Sequence, residues 1–152
     1  MKKFTNYLAE QGFDVTAVDI SRDALDKLKK SARGSRVLVN TRLQDISKLD
    51  FWRNWDAVIS IATLHLLKAE GQGDAITCMK SATKENGINL ITIFTKDDIG
   101  YREYPDLSFI NLEELRKYYY DWEILIAENY TKDENHGGPH SHHMAVLVAR
   151  KP

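Results

Sequence analysis

Two aspartates stand where an apolar run gives way to a new periodicity. Asp19 closes the run Phe13-Asp14-Val15-Thr16-Ala17-Val18 and lies just ahead of Ser21, a helix-start residue. A carboxylate offers two acceptor oxygens and no donor, so at the carboxyl end of a strand it suits the paired hydroxyls of a ribose. The same placement equally describes a solvated turn acid helped by the helix macrodipole. Asp45 follows the next apolar run, where it can accept from an exocyclic adenine amine while Ile46 packs on the ring. A polar turn residue is the plainer account of it. His65 has the chemistry of a base or a substrate contact, but among Leu64, Leu66 and Leu67 a packed or surface imidazole fits better. Four of the five histidines fall between Asn135 and His143, and His140 and His142 share one side if that stretch is extended. An alternating pair of imidazoles is a possible divalent-metal pair or a substrate contact. No carboxylate or cysteine partners them at an established metal spacing, so no metal is expected.

The elements that would position these groups can be read from the pattern. Phe4, Tyr7 and Leu8 recur at helical spacing before Gly12, and Ser21 precedes a second such stripe of Ala24, Leu25, Leu28 and Ala32. Between them Phe13 to Asp19 reads as a strand, and Arg36 to Asn40 as the next. Asp56 to Ala62 is nearly all apolar, as for a strand buried on both faces at the centre of a parallel sheet. A helix over 73–85 and a buried strand over 88–94 follow, then a long polar loop from Lys96 to Ile110 and a helix capped by Asn111. Trp122 to Ile126 and Met144 to Ala149 are two closing strands, most simply an antiparallel pair joined by the histidine-bearing loop. Tyr118, Tyr119, Tyr120 and Trp122 read as packing at a helix-to-strand junction rather than a base-stacking platform, and Cys78 as a small residue on a helix face. The alternation predicts an α/β fold with a doubly wound, mostly parallel sheet and a C-terminal antiparallel hairpin. Ligands of such sheets sit outside the carboxyl ends of the strands, which is where Asp19, Asp45 and His65 fall.

Composition narrows the partners. The 152 residues suit one domain over 1–152, and 21 basic against 22 acidic side chains give a net charge of -1, without the global attraction of a nucleic-acid or acidic-membrane binder. One cysteine excludes an intramolecular disulfide framework, and no apolar run approaches the roughly 20 residues of a bilayer span. The expected compartment is the cytoplasm.

In order and spacing, Tyr7 to Ser21 resembles the segment after the glycine-rich loop of class I S-adenosylmethionine-dependent methyltransferases, with the closest likeness to the tellurite-resistance (TehB-type) enzymes. The likeness extends to Trp55-Asp56-Ala57-Val58-Ile59-Ser60, Gly87-Ile88-Asn89-Leu90-Ile91, Glu114 to Tyr119 with Trp122-Glu123, and the ending Val148-Ala149-Arg150-Lys151. It implies a Rossmann-like fold, S-adenosylmethionine as cofactor, and methyl transfer to a small acceptor such as a tellurium oxyanion or a thiol. By the same resemblance Asp19 binds the ribose of the methyl donor, Ile20 flanks its adenine, Asp45 and Ile46 hold the adenine, and Ile61 lies beside the methionyl part. Arg102, His140 and His143 become candidate acceptor contacts. The family pattern opens with a strand and a Gly-x-Gly-x-Gly loop about 20 residues ahead of the acid. Asp19 lies eighteen positions after Met1, and Met1-Lys2-Lys3-Phe4 holds no glycine, so the resemblance implies an N-terminally truncated form. The alternative to an enzyme is then a catalytically inactive protein of this fold that acts through self-association, as a homodimer, or through partner binding.

Overall fold

A computed structural model describes residues 2–48, 50, 53–135 and 138–152. The expected features at Phe51, Trp52, His136 and Gly137 lie outside the described residues. Contacts divide the chain into two units, residues 1–49 and 50–152.

The first unit is built on a helix pair and a two-stranded parallel sheet. Helix α1 (Lys2–Glu10) leads through Gly12, whose φ of 87° suits a residue without a side chain, to β1 (Thr16–Asp19). Helix α2 (Arg22–Gly34) starts where expected: the Ala24 amide donates to Ser21 Oγ at 3.2 Å, one of the four amides that a helix start leaves unpaired. Leu25, Leu28 and Ala32 are its buried stripe. Strand β2 (Asn40–Leu43) pairs with β1 from Thr16↔Asn40 to Asp19↔Leu43. This corrects the strand expected over Arg36 to Asn40. Arg36 turns the chain with φ 59° and Leu38 is 92% exposed, so the apolar run Val37-Leu38-Val39 is the approach and not the ladder. Register begins at Asn40, whose amide donates to the Val15 carbonyl at 2.9 Å and whose side chain donates to Asp14 Oδ1 at 3.0 Å.

The second unit holds a four-stranded sheet in the order β3-β4-β6-β5, with β3 (Trp55–Ile61), β4 (Thr83–Phe94), β5 (Glu123–Glu134) and β6 (His140–Arg150). Strands β3 and β4 run parallel, and β6 is antiparallel to both β4 and β5. Within this sheet β3 is an edge strand, which corrects the expectation of a central one: among the described residues it pairs with β4 alone, and only Val58 of its seven residues is fully buried. Helix α3 (Ala69–Ser81), a turn or so earlier than the expected span, sets Ala75, Ile76 and Met79 in the core. There they meet Ile91, Ile93, Leu115, Tyr119, Ala145 and Leu147, where each large apolar side chain withdrawn from water contributes about 1.5–3 kcal/mol. The 96–110 loop includes a single turn, α4 (Gly100–Glu103). Helix α5 (Leu112–Lys117) opens with a capping box, in which the Asn111 amide donates to Glu114 Oε2 at 2.7 Å.

The closing hairpin is longer than the sequence suggests. His140 to His143 belong to strand β6 rather than to the connecting loop, because the β5–β6 ladder continues through Asp133↔Ser141 to Glu134↔His140. Polar residues on both faces hide this stretch from an apolar-alternation reading. Among the described residues no helix is long and apolar enough to cross a membrane.

Candidate functional site

In the first unit the ligand edge is set by parallel pairing. Asp19 ends β1 opposite Leu43, and the Gln44 amide donates to the Asp19 carbonyl at 3.0 Å, so Asp45 leaves the adjacent strand on the same edge. Each acid is held by a tight turn: Asp19 Oδ1 accepts from the Ser21 amide and Asp45 Oδ1 from the Ser47 amide, both at 2.8 Å. The Ser47 backbone donor holds the Asp45 carboxyl below its ordinary value, so it is a dependable acceptor at neutral pH. A carboxylate has acceptor capacity beyond the single amide of its turn, and at Asp45 the Ser47 side chain adds to the amide. Ile20, next to Asp19 in the chain, is 69% exposed, while Ile46, opening a single 3-10 turn after Asp45, is half-buried. An exposed branched apolar side chain on the same edge as two turn-held carboxylates suits a nucleobase, whose face packs on apolar groups and whose edge carries the amine. Among the described residues ahead of β1, Gly12 after α1 is the one glycine.

In the second unit the carboxyl end of β3 carries Ile61, half-buried, and then Ala62 at φ 47°. A left-handed alanine is strained backbone, and two acceptors hold it in place: its amide lies 2.9 Å from the Thr92 carbonyl and 3.0 Å from Thr92 Oγ1. His65 follows in a 3-10 turn, edge-on to Phe94 at 4.9 Å and stacked with Phe109 at 5.8 Å between ring centroids. Burial pushes its imidazole below the ordinary value while the charge on Asp98 opposes this, and Nδ1 has no partner among the described residues. This is the packed histidine favoured by its apolar neighbours.

Arg102 and His143 line one open cleft of about 330 Å³ with Lys96, Asp97, Asp98, Ile99 and Ser141. His140 is not among its lining residues. Alternation along β6 turns Ser141 and His143 one way and His140 and His142 the other. The residue that sequence reasoning missed is Asp98, 3% exposed, which accepts from the Gly100 amide at 2.8 Å, the His143 amide at 2.8 Å and His142 Nδ1 at 3.0 Å. An aspartate two residues before a glycine, just past the end of a buried strand, was the available signal.

Comparison with known proteins agrees with the order of these elements. The family described as "Tellurite resistance protein TehB" matches residues 2–142. A curated relative from Haemophilus influenzae (strain KW20 / Rd), named as a probable S-adenosyl-L-methionine-dependent methyltransferase TehB, is 31% identical over 151 residues, covering 95% of this chain and 52% of its own length. The crystal structure of TehB from Haemophilus influenzae superposes with a TM-score of 0.81 at 26% identity, over 96% of this chain and 52% of that one. The magnesium protoporphyrin IX methyltransferase of Synechocystis with bound SAH shares the fold, with a TM-score of 0.80 at 16% identity over 97% of this chain and 68% of that one. The chain thus spans about half the length of the curated relatives it matches, in a Rossmann-like α/β arrangement. By the match of its sequence along nearly its whole length, and by a fold that keeps the order of the elements, the chain belongs to the TehB family of tellurite resistance proteins.

Proposed function

We propose that the chain takes part in S-adenosylmethionine-dependent methyl transfer to a small acceptor, working in the cytoplasm. The observation that carries this reading is the carboxyl edge of the first unit's sheet: two turn-fixed carboxylates, Asp19 and Asp45, follow adjacent parallel strands, with exposed Ile20 next to Asp19 in the chain. In this reading Asp19 accepts from the ribose hydroxyls, Asp45 from the adenine amine, and Ile20 and Ile46 flank the ring. Ile61 contacts the methionyl chain, and the strained Ala62 turn shapes that end of β3. When bound, the cofactor supplies an electrophilic sulfonium methyl: an acceptor lone pair forms the new bond to carbon as the carbon–sulfur bond breaks, and the electron pair stays on sulfur. Such a displacement rests on positioning and exclusion of water more than on a strong base, which fits a site without a nucleophile or triad. Arg102 and His143 offer positive charge and a hydrogen bond to a soft anionic acceptor such as a thiolate or a tellurium oxyanion.

Calorimetric titration with S-adenosylmethionine and with its demethylated product tests the proposal. Dissociation constants of about 1–100 μM, lost in Asp19→Ala, are expected, and an absence of heat at about 1 mM ligand sinks it. One observation favours a second reading, a non-catalytic protein that self-associates: among the described residues β1 pairs only with β2 and β3 only with β4, so each presents a strand edge able to accept another chain. A dimer by sedimentation, together with no cofactor binding, is the outcome that reading requires.

A further inference from the structure

We propose that Glu134, His140 and His142, at the tip of the β5–β6 hairpin, form a binding site for one divalent transition-metal ion of the zinc class. The register brings them together. Glu134 lies directly opposite His140, His142 follows two residues along the same face, and one ligand atom from each residue lies within 4.8 Å of the others. All three are half-buried.

The hydrogen bonds of the two imidazoles point to a cation. His140 Nδ1 is 2.9 Å from the Gly138 carbonyl, which can only accept, so this nitrogen carries a proton. His142 Nδ1 is 3.0 Å from Asp98 Oδ2, a carboxylate already fixed by the amides of Gly100 and His143, and it too is a donor. With Nδ1 as the donor on both rings, the two Nε2 atoms face each other across 3.2 Å, and in the neutral form each would offer the other a lone pair. Such a pair repels unless something electrophilic lies between them. Two imidazoles on one tetrahedral zinc, with Zn–N about 2.05 Å, place their nitrogens about 3.3 Å apart, close to the 3.2 Å found.

The surroundings are those of a metal centre. Asp98 to His142 is the carboxylate–histidine arrangement that fixes the ligand tautomer and raises its basicity, and the Gly138 carbonyl does the same for His140. The Phe94 ring packs on His142 at 4.8 Å and shields it from water. Glu134 also holds the Lys132 ammonium, a largely exposed and therefore weak pair that does not compete strongly with a metal. Two imidazoles and one carboxylate favour zinc, cobalt or nickel over calcium and magnesium, and three protein ligands leave a coordination position open to water or a small anion. The ion would staple the hairpin tip, and Asp98 would link it to the cleft of Arg102 and His143.

The test is titration of the chelator-treated chain with zinc chloride and with cobalt chloride, read by calorimetry, by the cobalt visible spectrum and by the rise in Tm. Expected is one equivalent bound with a dissociation constant of about 10 μM or tighter, and a cobalt spectrum of four- or five-coordinate intensity. Binding should be lost in His140→Ala and His142→Ala, and weakened about 10–100-fold in Asp98→Asn. Glu134→Gln, near the exposed hairpin end, should fold normally and still weaken binding, while His143→Ala should not. Failure to bind a stoichiometric ion, or binding indifferent to His140→Ala and His142→Ala, overturns the proposal. In the first case a protonated His142, donating from Nε2 to His140, accounts for the short separation.

Discussion

Replacing Tyr119 with phenylalanine removes a single oxygen from a dry interior and breaks a chain of buried hydrogen bonds. Tyr119, Asn89 and Thr83 are each fully buried. The Tyr119 hydroxyl accepts from Asn89 Nδ2 at 2.9 Å, and Asn89 Oδ1 accepts from Thr83 Oγ1 at 2.6 Å. The ring's edge contact with Trp122, 5.3 Å between centroids, survives the change, so little is lost in packing. What is lost is the partner of a buried amide donor, which costs about 1–3 kcal/mol, and about 2 kcal/mol is the expected loss in urea unfolding near neutral pH. The pH dependence is the sharper signature. Burial pushes the phenol well above its ordinary value, against the opposing pull of the Asn89 hydrogen bond. In the unfolded chain the phenol ionises near pH 10 (roughly), whereas in the fold it keeps its proton, so its contribution is whole below that pH and drains away above it. Between pH 9 and 11 this subtracts about 1.4 kcal/mol from the parent protein and nothing from Tyr119→Phe. The gap between the two should therefore narrow from about 2 kcal/mol to below about 1 kcal/mol. A gap that stays constant from pH 9 to 11 would mean that the phenol ionises as readily inside the fold as outside it, and the reasoning fails.

Two further outcomes follow from the same core. At Gly87 a methyl group would meet Thr83 Cγ2 at 2.8 Å and the backbone carbonyls of Asp56 and Lys84 at 2.9 Å, so Gly87→Ala should cost about 1–3 kcal/mol by differential scanning calorimetry. Gly71→Ala, on α3 with its nearest neighbour at 3.9 Å, should be neutral or stabilising by up to about 1 kcal/mol, and equal effects at the two sites would discredit the clash. Burial lowers the His65 value, so the unfolded state binds a proton first as pH falls; the stability His65 contributes is whole above about pH 6.5 and declines below it. Ring-proton NMR should give His65 a midpoint below 6.5, and His65→Phe should flatten the acid limb of the stability curve; a midpoint at or above 6.5 refutes this.

The sequence patterns that proved legible are those in which a local signal and a tertiary demand coincide. Ser21 reads as a cap and is one, because the amides of α2 need an acceptor wherever the helix packs. The strand at Trp55–Ile61 and the Asn111 cap are legible for the same reason. The run Val37-Leu38-Val39 misled because apolar β-branched composition records only a willingness to be extended, whereas the rungs of β2 are chosen by Asn40, which finds Val15 and Asp14 twenty-five residues or so away. The hairpin tip carries the same lesson to the candidate sites. Spacing along the chain gives His140 and His142 one face but offers them no carboxylate, since Glu134 becomes their neighbour only through a register that polar residues leave unmarked. Asp98 was missed for a related reason: the glycine two residues on marks a turn but not a burial, and its burial follows from accepting the His143 amide across to β6. Residues that act through pairing across strands are thus concealed in proportion to how polar the pairing segment is. For that reason the turns at Asp19 and Asp45, which follow local side-chain-to-backbone chemistry, could be read from the sequence, while the histidine cluster could be read only once the ladder was known.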